Sequence, residues 1–377
     1  MKPDKLTDIM LKYWLPMVLA GYLAVFAVHA YSARGTVYGD GRYYFAWVRT
    51  LVVGRDIDFT DEFSHYGIIE FLTARGTPGN KFSVGPALTW MPAYTAVHAL
   101  VRGDGYGWQY QLITGAFGMG LAVSGLVFIY LTLTGIFSRQ AAAATVLIIA
   151  YGTNLLYYGA FDTVNSHSVS FFAVSLFLLL LRRNFLRAAG AALGLVGLTR
   201  PQDLVTGLVL PGLFGIRRLP SFLAGLLPVV AILLITWTAQ FTSPLLNPYL
   251  TREGFSLADP RLTEVLFDKD FGLITVTPAV GLALIGLALS KLRLPFDRWQ
   301  LMSALLVQIY LISSWSTWWQ GETFGSRMFV GMLPLLSFGV AALIPSGPRS
   351  GNRTAVWLLS AAVAYHLVRF AAYALAP

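Results

Sequence analysis

The 377-residue sequence contains no cysteine, which excludes disulfide bonds, a thiolate nucleophile, and metal or cluster sites with cysteine ligands. Its five histidines are scattered and show no HExxH spacing. Charged residues make up 12% of the chain, against about 25% in ordinary soluble domains. Hydrophobic residues make up 56% and the mean hydropathy is +0.63, so the sequence predicts an integral membrane protein.

Basic residues are in excess, and the net charge is +9. They lie in short clusters between apolar runs, which is typical of membrane topology signals and argues against a nucleic-acid partner. The first apolar run is too long for the core of a signal peptide and has no small-residue cleavage site. No short repeat or hydrophilic stretch of domain size is present, so we expect one transmembrane domain over 1–377 and no soluble C-terminal domain.

About 11 apolar runs approach the roughly 20 residues that a membrane-spanning helix needs. They lie at 11–31, 109–136, 140–158, 165–181, 185–199, 203–216, 219–241, 272–290, 299–317, 324–344 and 354–374. Lys2, Lys5 and Lys12 place the N-terminus in the cytoplasm by the positive-inside tendency. If 82–101 is interfacial or re-entrant, the basic clusters up to Arg187 also fall inside. We therefore predict an all-α integral membrane protein with about 11 transmembrane helices.

This topology leaves two large loops on the outer side, 31–82 and 242–270. Within the first, 43–53 has an apolar stripe and is too short to span, which predicts an amphipathic surface helix. The polar segments that could carry chemistry all fall on the same side. Polar residues scattered by chance would divide between both sides, so their convergence predicts a single extracytoplasmic site.

The segment 36–67 holds a large share of the acidic residues, and Asp40 lies in it between two glycines. Glycines on both sides let backbone and substrate approach a carboxylate closely. A carboxylate at the membrane boundary can act as a general base on a hydroxyl. The alternatives are that the loop is a solvated connector and that Asp40 caps a helix over 41–53.

Cationic and polar candidates follow at the ends of later apolar runs. Lys81 can pair with a lipid phosphate or only reach the head groups. Asp162 and His167 flank the start of a span, where donors can meet an anion or simply cap the helix. Arg200 ends a short span and needs an anionic partner, which could be a substrate phosphate or Asp203.

Two further segments complete the predicted site. The loop 242–270 carries Tyr249 and Arg252 and could close over a pocket, although most of its residues suit a solvated connector. The tryptophan-rich 315–329 carries Glu322 and Arg327. Its aromatic residues suit either the membrane interface or a sugar ligand. Tyr44 is a further candidate in the first loop.

Several of these motifs together resemble a known family. They are YGDGRYYFAWVRTL with GRDIDFTDEF, GNKFSVGPALTWMPAY, YGTNLLYYGAFDTVNSHSVSFF, GLTRPQD and WWQGETFGSRMFVGMLPLL. The chain resembles bacterial GT-C membrane glycosyltransferases, and the nearest families are the protein O-mannosyltransferases and the aminoarabinose transferases acting on lipid A. The similarity runs along most of the chain, but each motif is short and degenerate. The family fold is a helical membrane module with surface helices in the first outer loop.

The resemblance implies a polyprenyl-phosphate sugar as the donor, Asp40 as the catalytic base and Lys81 as a phosphate-binding residue. Members of this family usually have a second acidic residue later in the first outer loop, and Asp58 and Glu62 are the main candidates in this sequence. Asn80 stands where the aminoarabinose family has the glutamate of a Glu-Lys pair, so the second acid is not fixed by the motif. No spacing diagnostic of a metal site accompanies these acids, and metal dependence stays open.

These features together predict an inverting glycosyltransferase at the outer face of a cytoplasmic (inner) membrane. The acceptor would be a hydroxyl of a glycan, a lipid or a protein, and His167, Arg200, Glu322 and Arg327 would join Lys81 around the donor. One alternative is a transporter or flippase of a lipid-linked sugar, which would need polar residues deep within its spans. Another is a polymer ligase with a pyrophosphate-linked donor.

Overall fold

The computed structural model describes residues 5–210, 216–243, 253–292, 296–321, 323–344 and 353–375. Within these ranges the chain is all-helical, and the strand-like pairing amounts to two isolated bridges. The helices are α1 (Lys5–Ala33), α2 (Gly41–Arg49), α3 (Thr60–Tyr66), α4 (Gly85–Val101), α5 (Trp108–Leu133), α6 (Arg139–Gly152), α7 (Ser166–Arg182), α8 (Leu186–Thr199), α9 (Leu219–Phe241), α10 (Leu262–Phe267), α11 (Leu273–Val276), α12 (Pro278–Leu289), α13 (Arg298–Ser313), α14 (Leu333–Leu343) and α15 (Arg353–Ala374).

Short irregular helical segments separate several of these helices. Thr50–Gly54 and Tyr157–Phe161 are single π-helical turns. Pro201–Val209, Ile216–Arg218 and Arg327–Met332 are 3₁₀ helices. A 3₁₀ or π turn interrupts the regular α-helical ladder, and such turns are frequent at functional sites.

Among the described residues, four helices are long and apolar enough to cross a membrane, which gives the chain the character of a membrane protein. They are Lys12–Ala33, Trp108–Leu133, Leu219–Phe241 and Arg353–Ala374. Other apolar runs form shorter helices. The run 203–216 begins within the 3₁₀ helix Pro201–Val209, and the run 140–158 ends its α-helix at Gly152, before the π turn Tyr157–Phe161.

Helix α5 packs against both α1 and α7. Trp14 in α1 lies beside Tyr130 in α5, with 4.9 Å between the ring centroids, and Phe26 lies against Gly115. This order of contacts makes α1 and α5 antiparallel. A Cβ on Gly118 would lie 2.3 Å from the carbonyl oxygen of Thr163, so glycine permits the close approach of α5 to the segment that precedes α7.

One end of the bundle, which we call the loop end, gathers the end of α1 and the starts of α5 and α7. Thr36 Oγ1 donates to the carbonyl of Gln111 at 2.7 Å, which joins the segment after α1 to the start of α5. Arg200 Nη1 donates to Ser166 Oγ at 3.0 Å, which joins the end of α8 to the start of α7. The polar segments between these helices therefore meet at the loop end.

Helix α4 lies across the loop end and not along the bundle. Its first residue, Gly85, packs against the backbone of Leu198 near the end of α8. Near its other end, the His98 ring hydrogen-bonds Tyr110 in the first turns of α5 at 2.9 Å. Both ends of α4 thus contact segments at the same end of the bundle.

The first loop packs with α4 around a shared aromatic core. Phe45, Trp47 and Phe59 of the loop are buried in it, together with Trp90 and Tyr94 of α4. Burying a large apolar side chain stabilises a fold by about 1.5–3 kcal/mol. Such a core is not the structure of a solvated connector, and it holds α2 and α4 in fixed positions beside the site.

Candidate active site

A cavity of about 130 Å³ lies at the loop end. It brings together seven residues that the sequence singles out, from five separate parts of the chain: Asp40, Tyr44, Lys81, Asp162, His167, Arg200 and Arg327. Residues that the sequence did not single out also line it, chiefly Glu253, Trp315 and Met328. The predicted candidates Tyr249, Arg252 and Glu322 lie outside the described residues.

Asp40 immediately precedes α2, but its side chain makes no capping hydrogen bond to the helix. Its carboxylate Oδ2 instead lies 2.6 Å from Nη1 of Arg327. The Asp40 side chain is 35% exposed and the Arg327 side chain 13%. The carboxylate is therefore directed into the cavity, where it is held by a cation and stays accessible to a ligand.

The two glycines beside Asp40 have different roles. Gly39 has φ +50°, in the left-handed region that favours glycine, and it turns the chain into α2. A Cβ on Gly41 would lie 2.5 Å from the carbonyl oxygen of Val164. Glycine at this position lets the start of α2 rest on the 162–165 segment, which fixes Asp40 relative to the opposite wall of the cavity.

Arg327 begins a 3₁₀ helix after a sharply turned loop. Gln320, Gly321 and Gly325 all have positive φ values, of 65°, 83° and 63°. The Gln320 side-chain oxygen accepts a hydrogen bond from the backbone N–H of Met328 at 2.7 Å, and this bond closes the loop on itself. The loop geometry therefore aims Arg327 back towards α2.

Lys81 forms the second ion pair of the cavity, with its Nζ 3.3 Å from Oε1 of Glu253. The preceding residue, Asn80, is a buried structural anchor. Its side-chain nitrogen donates to the Tyr43 carbonyl at 2.9 Å, and its backbone N–H donates to Gln240 at 3.0 Å. Asn80 thus places Lys81 in the wall of the cavity without entering the chemistry itself.

Arg200 has an internal partner, which was one of the two possibilities open from the sequence. Its Nε lies 3.3 Å from Oδ2 of Asp203, and both side chains are buried. Asp203 also accepts hydrogen bonds from Ser170 at 2.5 Å and from Gln308 at 3.1 Å. Arg200 further contacts the sulfur of Met328. This network fixes the arginine in the wall of the cavity.

Asp162 is a half-buried carboxyl that lines the cavity, in the segment on which the start of α2 rests. Burial raises the pKa of Asp162 to about 7, and the nearby negative charge of Asp40 adds to the rise, whereas Asn165 and Arg327 act against it. Its Oδ1 has no hydrogen-bond partner within the described parts of the chain. Asp162 therefore changes protonation state near neutral pH.

Asn165 and His167 begin α7 on the same wall. Asn165 caps the helix, since its side-chain oxygen accepts from the His167 backbone N–H at 2.7 Å. The His167 ring lies 4.6 Å from the ring of Tyr158, measured between centroids, and it lines the cavity. His167 thus lies in the first turn of α7 and also lines the cavity.

The two acids that the sequence favoured as a second acid do not line the cavity. Asp58 Oδ1 accepts from the backbone N–H of Thr60 at 3.0 Å and so supports the start of α3. Glu62 is buried in an ion pair with Arg49 at 2.7 Å. Burial raises the pKa of Glu62, and the ion pair with Arg49 acts against that rise. Both acids stabilise the first loop.

Among the described residues, the acids that line the cavity with Asp40 are Asp162 and Glu253. Glu253 lies in the long loop 242–270, where mixed charge gave no pattern to select one residue. In the part of the chain that the structure covers, no group of three or more histidine, aspartate or glutamate side chains comes together as a metal site.

The cations of the cavity differ in how firmly they are held. Arg200 is only 5% exposed and belongs to a buried network. Lys81 is 30% exposed and Arg327 13%, and each contacts a carboxylate at the cavity surface. Lys81 and Arg327 can therefore exchange their carboxylates for another anion, whereas Arg200 contributes its charge from a fixed position.

Comparisons of the chain with protein-family models, with curated proteins and with solved structures find no match in any of the three.

Proposed function

We propose that the protein is an inverting membrane glycosyltransferase of the GT-C type. It moves a sugar from a polyprenyl-phosphate donor to a hydroxyl of a glycan, lipid or protein at the extracytoplasmic face of the inner membrane. The observation that carries the proposal is the meeting of Asp40 with Lys81 and Arg327 in one small cavity at the end of an apolar helical bundle.

The cavity chemistry suits a phosphate joined to a sugar. Arginine and lysine are the side chains that bind phosphate oxygens, and arginine can do so through two parallel hydrogen bonds. The singly charged phosphodiester of the donor competes with Asp40 for Arg327 and with Glu253 for Lys81, and the phosphate monoester that leaves carries a second negative charge for them to bind. Arg200 adds a fixed positive charge behind them.

The dimensions suit a lipid-linked ligand. A cavity of about 130 Å³ holds a polar head group, whereas pockets that enclose a whole drug-sized ligand measure about 300–1,000 Å³. The prenyl chain would remain among the apolar helices that surround the loop end. Only the phosphate and the sugar then need to enter the polar part of the site.

In the proposed reaction, Asp40 takes the proton of the acceptor hydroxyl as the oxygen attacks the anomeric carbon. The bond between that carbon and the phosphate oxygen breaks on the opposite face, and polyprenyl phosphate leaves with the bonding electrons. The configuration at the anomeric carbon is therefore inverted. Arg327 and Lys81 stabilise the negative charge that develops on the phosphate, and Asp40 afterwards returns its proton to water.

The ion pair between Asp40 and Arg327 links donor binding to this proton transfer. While the cavity holds no anion, Arg327 occupies one carboxylate oxygen of Asp40 at 2.6 Å. A bound phosphate draws Arg327 away and leaves that oxygen free to accept a proton. The base thus becomes available when the donor is in place.

The proposed topology has about 11 transmembrane helices, with the N-terminus in the cytoplasm and the loop end outside. The absence of native cysteine allows a direct test with single introduced cysteines. Asp104→Cys, in the loop before α5, should react with a membrane-impermeant maleimide added to intact cells. Arg183→Cys, after α7, should react only once the membrane is opened. The reverse pattern would overturn the assigned side.

The functional proposal itself is tested by mass spectrometry of lipids that purify with the protein. A polyprenyl-phosphate sugar should co-purify, and it should accumulate in a strain that lacks the protein. A pyrophosphate-linked oligosaccharide in its place would favour the polymer ligase. Transport of an intact lipid-linked sugar across vesicles, without sugar transfer, would identify a flippase.

A further inference from the structure

Glu253 is held firmly at the rim of the cavity by backbone pairing. Ser316 donates its N–H to the carbonyl of Gly254 at 2.8 Å, and Ser256 donates to the carbonyl of Ser314 at 2.7 Å. These bonds tie the segment that carries Glu253 to the end of α13. The carboxylate is therefore positioned by the scaffold.

The two oxygens of Glu253 have different environments. Oε1 pairs with Lys81 at 3.3 Å. Oε2 is buried and has no hydrogen-bond partner among the described residues. A buried carboxylate oxygen without a partner is costly, so it is a place where a ligand donor would be favoured.

The neighbours of Glu253 in the cavity wall are aromatic and polar. Phe82, Trp315 and Thr317 line the same cavity. Aromatic faces beside a carboxylate offer an apolar surface for the C–H groups of a sugar and a strong acceptor for its hydroxyls. This combination differs in kind from the cations Lys81 and Arg327, which suit the phosphate.

We propose that Glu253 is the second acid of the site and that it binds the donor sugar by accepting a hydrogen bond from a sugar hydroxyl. This proposal rests on the proposed function and extends it, because it assigns the sugar-recognising residue. When the phosphate engages Lys81, Oε1 is released as well, and both oxygens then face the sugar. Glu253 thereby fills the place for which the sequence favoured Asp58 or Glu62.

A different role for Glu253 would be only to hold Lys81 in place. The two roles predict different outcomes for Glu253→Gln, which removes the charge and keeps the shape. If Glu253 only positions Lys81, the variant should change the affinities for all phosphate lipids by the same factor and keep their ratios. If Glu253 binds the sugar, the variant should lower the affinity for lipids that carry the recognised sugar relative to the bare lipid.

The test measures dissociation constants of the purified full-length protein for bare polyprenyl phosphate and for the same lipid carrying a hexose, an N-acetylhexosamine or a pentose. The wild type should bind at least one glycosylated lipid about tenfold more tightly than the bare lipid, as expected for a hydrogen bond to a charged group. Glu253→Gln should bring that ratio close to one, and it should not weaken binding of the bare lipid, because the variant removes the carboxylate that competes with the phosphate for Lys81. Glu264→Gln, an exposed acid in α10, is the matched control and should behave as the wild type.

An unchanged ratio in Glu253→Gln would overturn the assignment, as would an equal loss of affinity for the bare and the glycosylated lipid. A wild-type protein without preference for any glycosylated lipid would overturn it too. Failure of the proposed function has a different signature, because then neither the bare nor the glycosylated lipid would bind. Lys81→Ala provides a further reference and should weaken binding of all these lipids alike.

Discussion

Arg327 Nη1 lies 2.6 Å from Asp40 Oδ2, so an ion pair joins the first loop of the chain to a loop near its end. Asp40 makes no capping bond to α2, and the turned loop before Arg327 directs it at the carboxylate. The pair closes the cavity and connects the proposed base with the proposed phosphate-binding group.

Arg327→Gln should weaken binding of polyprenyl phosphate by about 10- to 100-fold, which corresponds to the loss of a hydrogen bond from a charged group. The weakening should shrink at high ionic strength, because salt screens the wild-type attraction. The measurement is a lipid dissociation constant at two salt concentrations. Arg261→Gln, an exposed arginine outside the cavity, serves as the control. Equal affinities of Arg327→Gln and the wild type would remove Arg327 from the phosphate site.

Gly41→Ala should reduce kcat/KM by about 100-fold, because its Cβ would lie 2.5 Å from the Val164 carbonyl oxygen and displace Asp40. Gly120→Ala in α5 is the matched control, since a Cβ there meets no atom within 4 Å. That variant should keep full activity. Transfer rates measured on both purified variants decide the matter, and a fully active Gly41→Ala would show that the position of α2 is not critical.

Asp203→Asn should lower the free energy of unfolding by about 3–5 kcal/mol, because it leaves the charge of Arg200 buried without its partner. Asp259→Asn, at an exposed position in the loop before α10, should change stability little. Thermal unfolding in detergent, followed for both variants, provides the comparison. If the two variants unfold at the same temperature, the buried network contributes little to stability.

The raised pKa of Asp162 predicts a pH dependence of stability with a defined sign. In the unfolded chain the carboxyl loses its proton near its ordinary value of 3.8, whereas in the folded protein it does so at about 7. Between these values only the unfolded state is ionised, so the free energy of unfolding falls as pH rises, by about 1.4 kcal/mol per pH unit. Above pH 7 this contribution is constant.

Asp162→Asn should therefore flatten the change in melting temperature between pH 5 and pH 7 relative to the wild type. Asp61→Asn, an exposed acid of α3, should keep the wild-type slope. The difference between wild type and Asp162→Asn isolates this carboxyl from others, such as Glu62, whose pKa is also raised. Parallel curves for the wild type and Asp162→Asn would show that Asp162 ionises normally.

Much of the cavity was predictable because a charged side chain next to an apolar run needs water or a partner. Arg200 and Arg327 were selected for that reason, whereas Asp40 and Lys81 were selected from their positions at the membrane boundary and from the family resemblance, and all four line the cavity. Glu253 was not, because it lies in a polar loop where no single acid stands out. Glu253 reaches the cavity because the backbone of its segment pairs with residues 314–316, a contact between distant segments that sequence spacing does not reveal.

The helical class and the apolar character also followed from the sequence, but the number of spans did not. Hydropathy windows register an apolar run whether its backbone is α-helical or 3₁₀. Pro201–Val209 belongs to a run that reads as a span, yet it forms a 3₁₀ helix whose Asp203 is hydrogen-bonded inside the protein. Packing among buried helices, and not hydropathy, decides where such runs end.

The most direct test is turnover and donor binding of Asp40→Asn measured on the same purified sample. Asparagine keeps the size of the side chain and removes the proton acceptor, and a general base contributes about 10²- to 10⁴-fold to a rate. The rate of sugar transfer from a polyprenyl-phosphate donor should fall by at least about 100-fold, while the variant still binds the donor. Transfer at a near-normal rate by Asp40→Asn would contradict the account.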